Sequence, residues 1–343
     1  MTLVRESALE GHVDEVWGLA WSPSGDMLAS SGTDKTIRMW ARGADGQWRC
    51  EAILDDCARR TIRNVAWSPC GRYVAAVSFD GTTSVWERRG TDFEMLATLE
   101  GHENEVKGVA FSPSGQYIAT CGRDKSAFVW EADPAEDFEC VTVLQGHTQD
   151  VKSVAWHPAE DTLVTVSYDD TIRLWEAVDD DWVCTQTLTG HSSTVWGASF
   201  SPSGDFLASC GDDQQVLLWR RERRASMPSS SSGAGQFQWK RACTVAGYHE
   251  DTIFSIDWAR HGPWVATGSR DDTIRLFSVA GGNGEGGVGE VTCLPAAAVE
   301  HAHSGDVNCV RWHPRERLLV SAGDDGLVCL WRWQPEDDEP MQD

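Results

Sequence analysis

The chain has 343 residues, 41% hydrophobic and 24% charged, the proportions of an ordinary globular protein, and its length alone suggests two domains of about 150 residues each. Lys and Arg number 29 against 53 Asp and Glu, a net charge of −24, which argues against general binding to nucleic acid or a membrane surface, since both present phosphate. No basic-then-apolar leader and no apolar run near the ~20 residues of a membrane span are seen, so a soluble, non-secreted protein is expected.

In chain order, residues 2–9 read as a strand ahead of a Gly-His pair. Val16–Trp21 alternates as a second strand, and Ser22-Pro23-Ser24-Gly25 makes a turn. Leu28-Ala29-Ser30 follows, then a turn carrying Asp34, a strand over Ile37–Trp40 and another over Trp48–Leu54. This unit then repeats. Six times a His is followed 22 residues later by Asp and 28 residues later by Trp or Phe: His12/Asp34/Trp40, His102/Asp124/Trp130, His147/Asp169/Trp175, His191/Asp213/Trp219, His249/Asp271/Phe277 and His303/Asp325/Trp331. A seventh unit keeps Asp80 and Trp86 but has Ala58 at the His position. Four short strands in about 44 residues, with a Gly-His…Trp signature, are the mark of a WD40 blade. The expectation is an all-β, seven-bladed WD40 β-propeller. The last unit ends at Trp331 without a fourth strand, so residues 2–9 should complete it and close the ring, removing exposed edges. Residues 1–334 then form one propeller and 335–343 an acidic, disordered tail. Two Gly/Ser-rich insertions, 222–238 and 280–290, should be flexible and lie on the face opposite the His/Asp end.

Twenty-two residues carry the chain up one strand and down the next, so His and Asp meet at the same end of a blade. A Ser or Thr two residues before the Asp is expected to link His to the Trp indole. On that spacing only His147, Ser167, Asp169 and Trp175 form a complete network. Gly32, Gly122, Gly211 and Gly323 would interrupt it elsewhere, and Asp213→Ala should cost less than Asp169→Ala.

A His/Asp/Ser hydrolase is disfavoured because a catalytic triad is one constellation, whereas this pair recurs six times. The 11 Cys include no Cys-x-x-Cys pair and recur at equivalent blade positions (Cys50, Cys140 and Cys184; Cys121 and Cys210). They read as reduced thiols packed as small hydrophobes, with no cofactor and no metal site. Function is therefore sought on the rim of the His/Asp end. The residue five after each His and the residue before each Asp should project there. Blades two to four thereby offer Arg63, Lys107, Arg123 and Lys152 with Phe79 and Tyr168 among them, and Trp17, Trp196 and Phe254 are the next candidates. Aromatic side chains with Arg are typical of binding hot spots, and Glu103, Glu105 and Asp150 stand ready to pair with the cations.

Several stretches allow a narrower match: Thr61–Gly71 (TIRNVAWSPCG), Leu99–Lys107 (LEGHENEVK), Ala119–Ser126 (ATCGRDKS), His147–Pro158 (HTQDVKSVAWHP), Ser167–Thr171 (SYDDT), Asp180–Cys184 (DDWVC) and Ala302–Cys309 (AHSGDVNC). Together they resemble the WD40 protein of the cytosolic iron–sulfur assembly machinery. The resemblance implies a non-catalytic scaffold of the targeting complex that delivers [4Fe–4S] clusters to cytosolic and nuclear apoprotein clients. Its implied partners are a MIP18-like subunit, a HEAT-repeat subunit and a hydrogenase-like cluster carrier, and the family's top-face arginine maps onto Arg123. The sequence departs from the family in the second unit, where Cys57-Ala58-Arg59 replaces a Gly-His segment, and in the bottom loops. The alternative is another WD40 scaffold, such as a ubiquitin-ligase receptor or chromatin adaptor, which co-purifying partners would distinguish.

Overall fold

The computed structural model describes residues 2–132, 138–179, 181–224, 235–281 and 289–334. Among the described residues, twenty-eight strands form seven four-stranded antiparallel sheets. In the first, β2 (Val16–Trp21), β3 (Met27–Gly32), β4 (Ile37–Arg42) and β5 (Trp48–Leu54) lie side by side in chain order. The first strands of successive sheets pack on one another around a central channel: β2, β6 (Ile62–Trp67), β10 (Val106–Phe111), β14 (Val151–Trp156), β18 (Val195–Phe200), β22 (Ile253–Trp258) and β26 (Val307–Trp312). The last of these packs back on β2, so the ring is closed. The seven-bladed propeller expected from the repeat is the fold observed.

Tryptophan builds the ring twice over. Each innermost strand ends in an aromatic residue (Trp21, Trp67, Phe111, Trp156, Phe200, Trp258 and Trp312), and together these line the channel at the end away from the His/Asp pairs. A second set sits in the third strands, where Trp40, Trp86, Trp130, Trp175, Trp219 and Trp331 are buried between blades. Eleven of the 18 Trp thus occupy two repeated positions. Each wide, rigid ring fills the wedge that opens between twisted sheets.

Neighbouring blades are also stitched by polar contacts. The imidazoles of His157 and His313 bond through Nε2 to the carbonyls of Gly204 and Gly25, at 3.2 and 3.1 Å, each in a turn of the following blade. Both glycines have left-handed φ, +77° and +80°, and a Cβ on either would collide with the imidazole ring. Only glycine fits there.

Closure occurs in the last blade. β1 (Thr2–Leu9) pairs antiparallel with β28 (Val328–Gln334), from Thr2 opposite Gln334 to Leu9 opposite Val328. The sheet order is β1, β28, β27 (Leu318–Gly323), β26. Leu9 joins the buried cluster that contains Leu318, Val320 and Leu330, and Arg332 forks onto Glu6 at 2.6 and 3.1 Å. Of the two insertions, Glu222, Arg223, Phe237 and Gln238 extend the β20 (Val216–Arg223) and β21 (Phe237–Val245) hairpin, rather than beginning a loose loop. Residues 225–234, 282–288 and 335–343, where flexibility was expected, lie outside the described residues.

Removing residues 2–9 should strip the edge of β28 and expose Leu9 and its neighbours. At about 1.5–3 kcal/mol per buried aliphatic side chain, stability should fall by roughly 3–5 kcal/mol. Calorimetry with size-exclusion chromatography checks this; an unchanged melt would mean the ring closes without its N-terminal strand.

Candidate functional site: the His–Asp face

The polar network differs from the expected one by two residues. In blade one, Trp40 Nε1 donates to Ser30 Oγ at 2.8 Å, and the same oxygen lies 2.7 Å from His12 Nε2. His12 Nδ1 in turn meets Asp34 at 2.8 Å. A carboxylate only accepts, so Nδ1 carries the ring proton and Nε2 accepts from the hydroxyl. The bridging hydroxyl stands four residues before the Asp, not two. It is Thr120 between His102 and Trp130, Thr165 between His147 and Trp175, Ser209 between His191 and Trp219, and Ser321 between His303 and Trp331. Five blades therefore hold the complete relay, including four in which Gly32, Gly122, Gly211 or Gly323 was expected to break it. Ser167 is not the bridge. Its hydroxyl donates to the Asp150 carbonyl at 2.8 Å and accepts from the Asp169 amide at 3.1 Å. In blade six Thr267 bonds His249, but Phe277 has no N–H to add; the Tyr248 ring packs edge-on against it instead. In blade two Asp80 accepts from the Arg59 amide at 2.7 Å, and Trp86 donates to Ser84.

Each relay has the connectivity of a hydrolase triad, but its hydroxyl is fully buried beneath an indole. It joins strands and meets no solvent-borne substrate. The acids are held ionised. Burial pushes the Asp34 carboxyl up, yet hydrogen bonds from His12 and Thr36 outweigh it and hold it at about 2. Asp124, Asp169, Asp213, Asp271 and Asp325 are likewise held below their ordinary value by such bonds acting against burial. Burial, opposed by Asp169, keeps His147 below the usual imidazole value.

In blades one, five and seven a hydrogen bond joins the two positions expected at this face. Trp17 Nε1 donates to Thr33 at 3.1 Å, Trp196 Nε1 donates to Asp212, and Asn308 donates to Asp324 at 2.8 Å. The basic arc divides into two parts. Arg123 projects from the rim with 55% of its side chain exposed, and Glu105 lies 3.6 Å away. Tyr168 is 54% exposed. Lys107 and Lys152, by contrast, are sunk in the channel mouth, only 13% and 9% exposed, and both are held by Asp150 at 2.6 and 3.8 Å. Arg63 lies over the Trp17 ring at 4.5 Å, and Lys152 lies over Trp196 at 4.5 Å. Trp196 packs edge-on against Phe254. Phe79 is half-buried under Arg60, which donates to the Phe79 carbonyl and pairs with Glu105 at 2.8 Å. Lys107 is thus no rim residue, contrary to expectation: its ammonium is drawn inward by Asp150 of the next blade.

A family description, "WD domain, G-beta repeat", matches residues 3–41, 48–87, 93–131, 138–176, 182–220, 241–278 and 297–332, one segment per blade. The chain is 56% identical over 338 residues to the probable cytosolic iron–sulfur protein assembly protein CIAO1 of Bos taurus, covering 98% of each chain. It is 50% identical over 348 residues to the probable CIAO1 homologue of Chlamydomonas reinhardtii, covering 96% of this chain and 98% of that protein. Against Protein CIA1 of Arabidopsis thaliana the identity is 48%, with 97% of both covered. The chain belongs to the WD40 family of cytosolic iron–sulfur protein assembly proteins.

In this assembly-family propeller, Glu105 and Asp150, expected to pair with the cations, belong to a third repeated position, three residues after the His. Sequence reasoning did not recognise this position as a repeat, and it is buried at Thr194 and Thr252. It carries an oxygen-bearing side chain in every unit: Glu15, Thr61, Glu105, Asp150, Thr194, Thr252 and Asp306. Glu105, Asp150 and Asp306 use it to reach cations of the preceding blade, Arg60, Lys107 and Arg270. The fixed offset was the available signal. The cysteines also need correction. Cys121, Cys210, Cys293, Cys309 and Cys329 are buried, but Cys50, Cys70, Cys140 and Cys184 are exposed. Cys50, Cys140 and Cys184 sit on outermost strands opposite Trp40, Trp130 and Trp175, where only one side of the strand is covered.

With Ser209 completing its relay, Asp213→Ala should now cost about as much as Asp169→Ala, roughly 1–3 kcal/mol each. Chemical denaturation of both variants checks this, and a clearly smaller loss for Asp213→Ala would restore the two-residue spacing. The pH dependence follows from the same groups. The aspartates bind protons less readily folded than unfolded, so their stabilisation is full above about pH 4 and is lost as pH falls towards 2. The lowered His147 value adds an earlier loss beginning below about pH 6.5. Melting temperatures should be level from pH 8 to 7, decline by pH 5 and drop steeply near pH 3.

Proposed function

We propose that this chain is the non-catalytic scaffold of the cytosolic iron–sulfur targeting complex, holding partners together while [4Fe–4S] clusters pass to cytosolic and nuclear apoproteins. The observation that carries the reading is identity near one half over almost the full length with proteins named for cytosolic iron–sulfur assembly. A cytosolic location follows from the same relatives. The proposed partners are the MIP18-like subunit, the HEAT-repeat subunit and the hydrogenase-like carrier, with the cluster as cargo rather than a resident cofactor.

A closed ring of seven sheets suits such work, because its rim positions keep fixed spacings without support from a partner. The rim of blades two to four is the proposed docking surface. Arg123 keeps just over half of its side chain exposed beside Glu105, and Tyr168 presents an exposed ring one blade on. A partner carboxylate or backbone carbonyl would meet the Arg123 fork while an apolar side chain covers Tyr168. Charge-assisted forks and buried aromatics of this kind carry a large share of interface energy.

Arg123→Glu should strongly reduce capture of the MIP18-like subunit and of one client, while stability changes by no more than about 0.5 kcal/mol, as is usual for an exposed position. Pull-down beside a thermal melt measures both. Undiminished capture of both partners would reject this rim as the docking surface.

A further inference from the structure

The channel mouth holds a charge arrangement that the scaffold reading does not use. Arg63, Lys107 and Lys152 stand at equivalent positions on β6, β10 and β14, three innermost strands packed in succession. One carboxylate, that of Asp150, pairs with two of them. Lys107 Nζ lies 2.6 Å and Lys152 Nζ 3.8 Å from the same Asp150 oxygen. Among the described residues, Arg63 has no carboxylate within ion-pair distance; its guanidinium faces the Trp17 ring. Three positive charges against one negative leave an excess of two.

This excess sits where water compensates poorly. The Lys152 side chain is 9% exposed and that of Lys107 13%. Burial, together with repulsion from Lys107 and Arg63, lowers the Lys152 ammonium to about 8. Two indoles wall the site, Trp17 beneath Arg63 and Trp196 beneath Lys152, each 4.5 Å from its cation. Unbalanced buried charge is costly unless a counter-charge joins it. In a protein of net charge −24, a cluster of largely buried cations at the channel mouth calls for an anion.

We propose that the mouth of the channel at the His–Asp end binds a doubly charged oxyanion, the phosphate of free inorganic phosphate or of a phosphomonoester, between Arg63, Lys107 and Lys152. The charge count selects the class. A phosphate near neutral pH cancels the excess, and its three terminal oxygens can accept from a guanidinium and two ammoniums at once. A carboxylate would leave one charge unbalanced. The site lies inside the rim that carries Arg123.

The chain has only five lysines, and Lys35, Lys125 and Lys240 are exposed, so lysine side-chain NMR on the whole protein separates site from surface. Phosphate, phosphoserine and acetate are titrated in turn at constant ionic strength near pH 7. Phosphate should move the Lys107 and Lys152 signals to saturation while the three exposed lysines shift little, and acetate should bind at least about tenfold more weakly. Lys152→Met and Arg63→Met should each weaken phosphate about tenfold or more, and Arg123→Glu should leave it unchanged. Tighter binding of phosphoserine than of phosphate would assign the pocket to a phosphorylated partner; the reverse order would assign it to the free anion. Shifts of similar size at all five lysines, acetate binding as tight as phosphate, or undiminished binding in folded Lys152→Met would overturn the proposal. Should a variant fail to fold, the titration of the unaltered protein still decides. Loss of partner capture in Arg123→Glu with phosphate binding intact keeps this site separate from the docking rim.

Discussion

A single N–H governs much of this architecture. In six of the seven blades a third-strand indole fills the space between blades, and burying it also buries a donor that must be satisfied. A hydroxyl on the adjacent strand accepts from it. That hydroxyl then needs an acceptor, which is His, and the His proton needs a carboxylate, which reaches the surface turn. Each relay runs from the interior of a blade to the His–Asp face, so the demands of packing fix the backbone of the surface where partners are proposed to dock. The turn amides that bond the same aspartates, such as those of Thr36 and Thr171, hold that face in shape.

The two exceptional blades show how the constraint is relaxed. Blade six replaces the indole with Phe277, and no donor remains to be satisfied. Blade two keeps Trp86 but loses the His, and Ser84 takes the indole while a backbone amide takes the aspartate. In neither case is a buried donor of the relay left without a partner.

The period, the strand order and the closing strand were legible because they depend on alternation and fixed spacing, which a linear string preserves. The bridging hydroxyl was misplaced because both candidate positions lie on the same side of the second strand. The register decides between them. Ser30 pairs with Arg38 and so lies diagonally beside Trp40, whereas Gly32 pairs with Val16 at the entry to the turn. Exposure at the face was hidden for a similar reason. Lys107 and Arg123 look equally basic in sequence, but Asp150 of the next blade pulls one inward, while Glu105 of its own blade leaves the other at the rim. Contacts between blades are separated by about one repeat, and no local pattern reports them.

The pairing of the first strand with the last has a topological consequence. Thr2 lies opposite Gln334 at the end of the last sheet remote from the His–Asp face. A module inserted directly at Thr2 or at Gln334 would therefore leave the ring at one place, behind it, and two such modules would start as neighbours. The propeller can gain appendages there, or be reconnected and cut open at a different blade, without disturbing the surface it offers to partners.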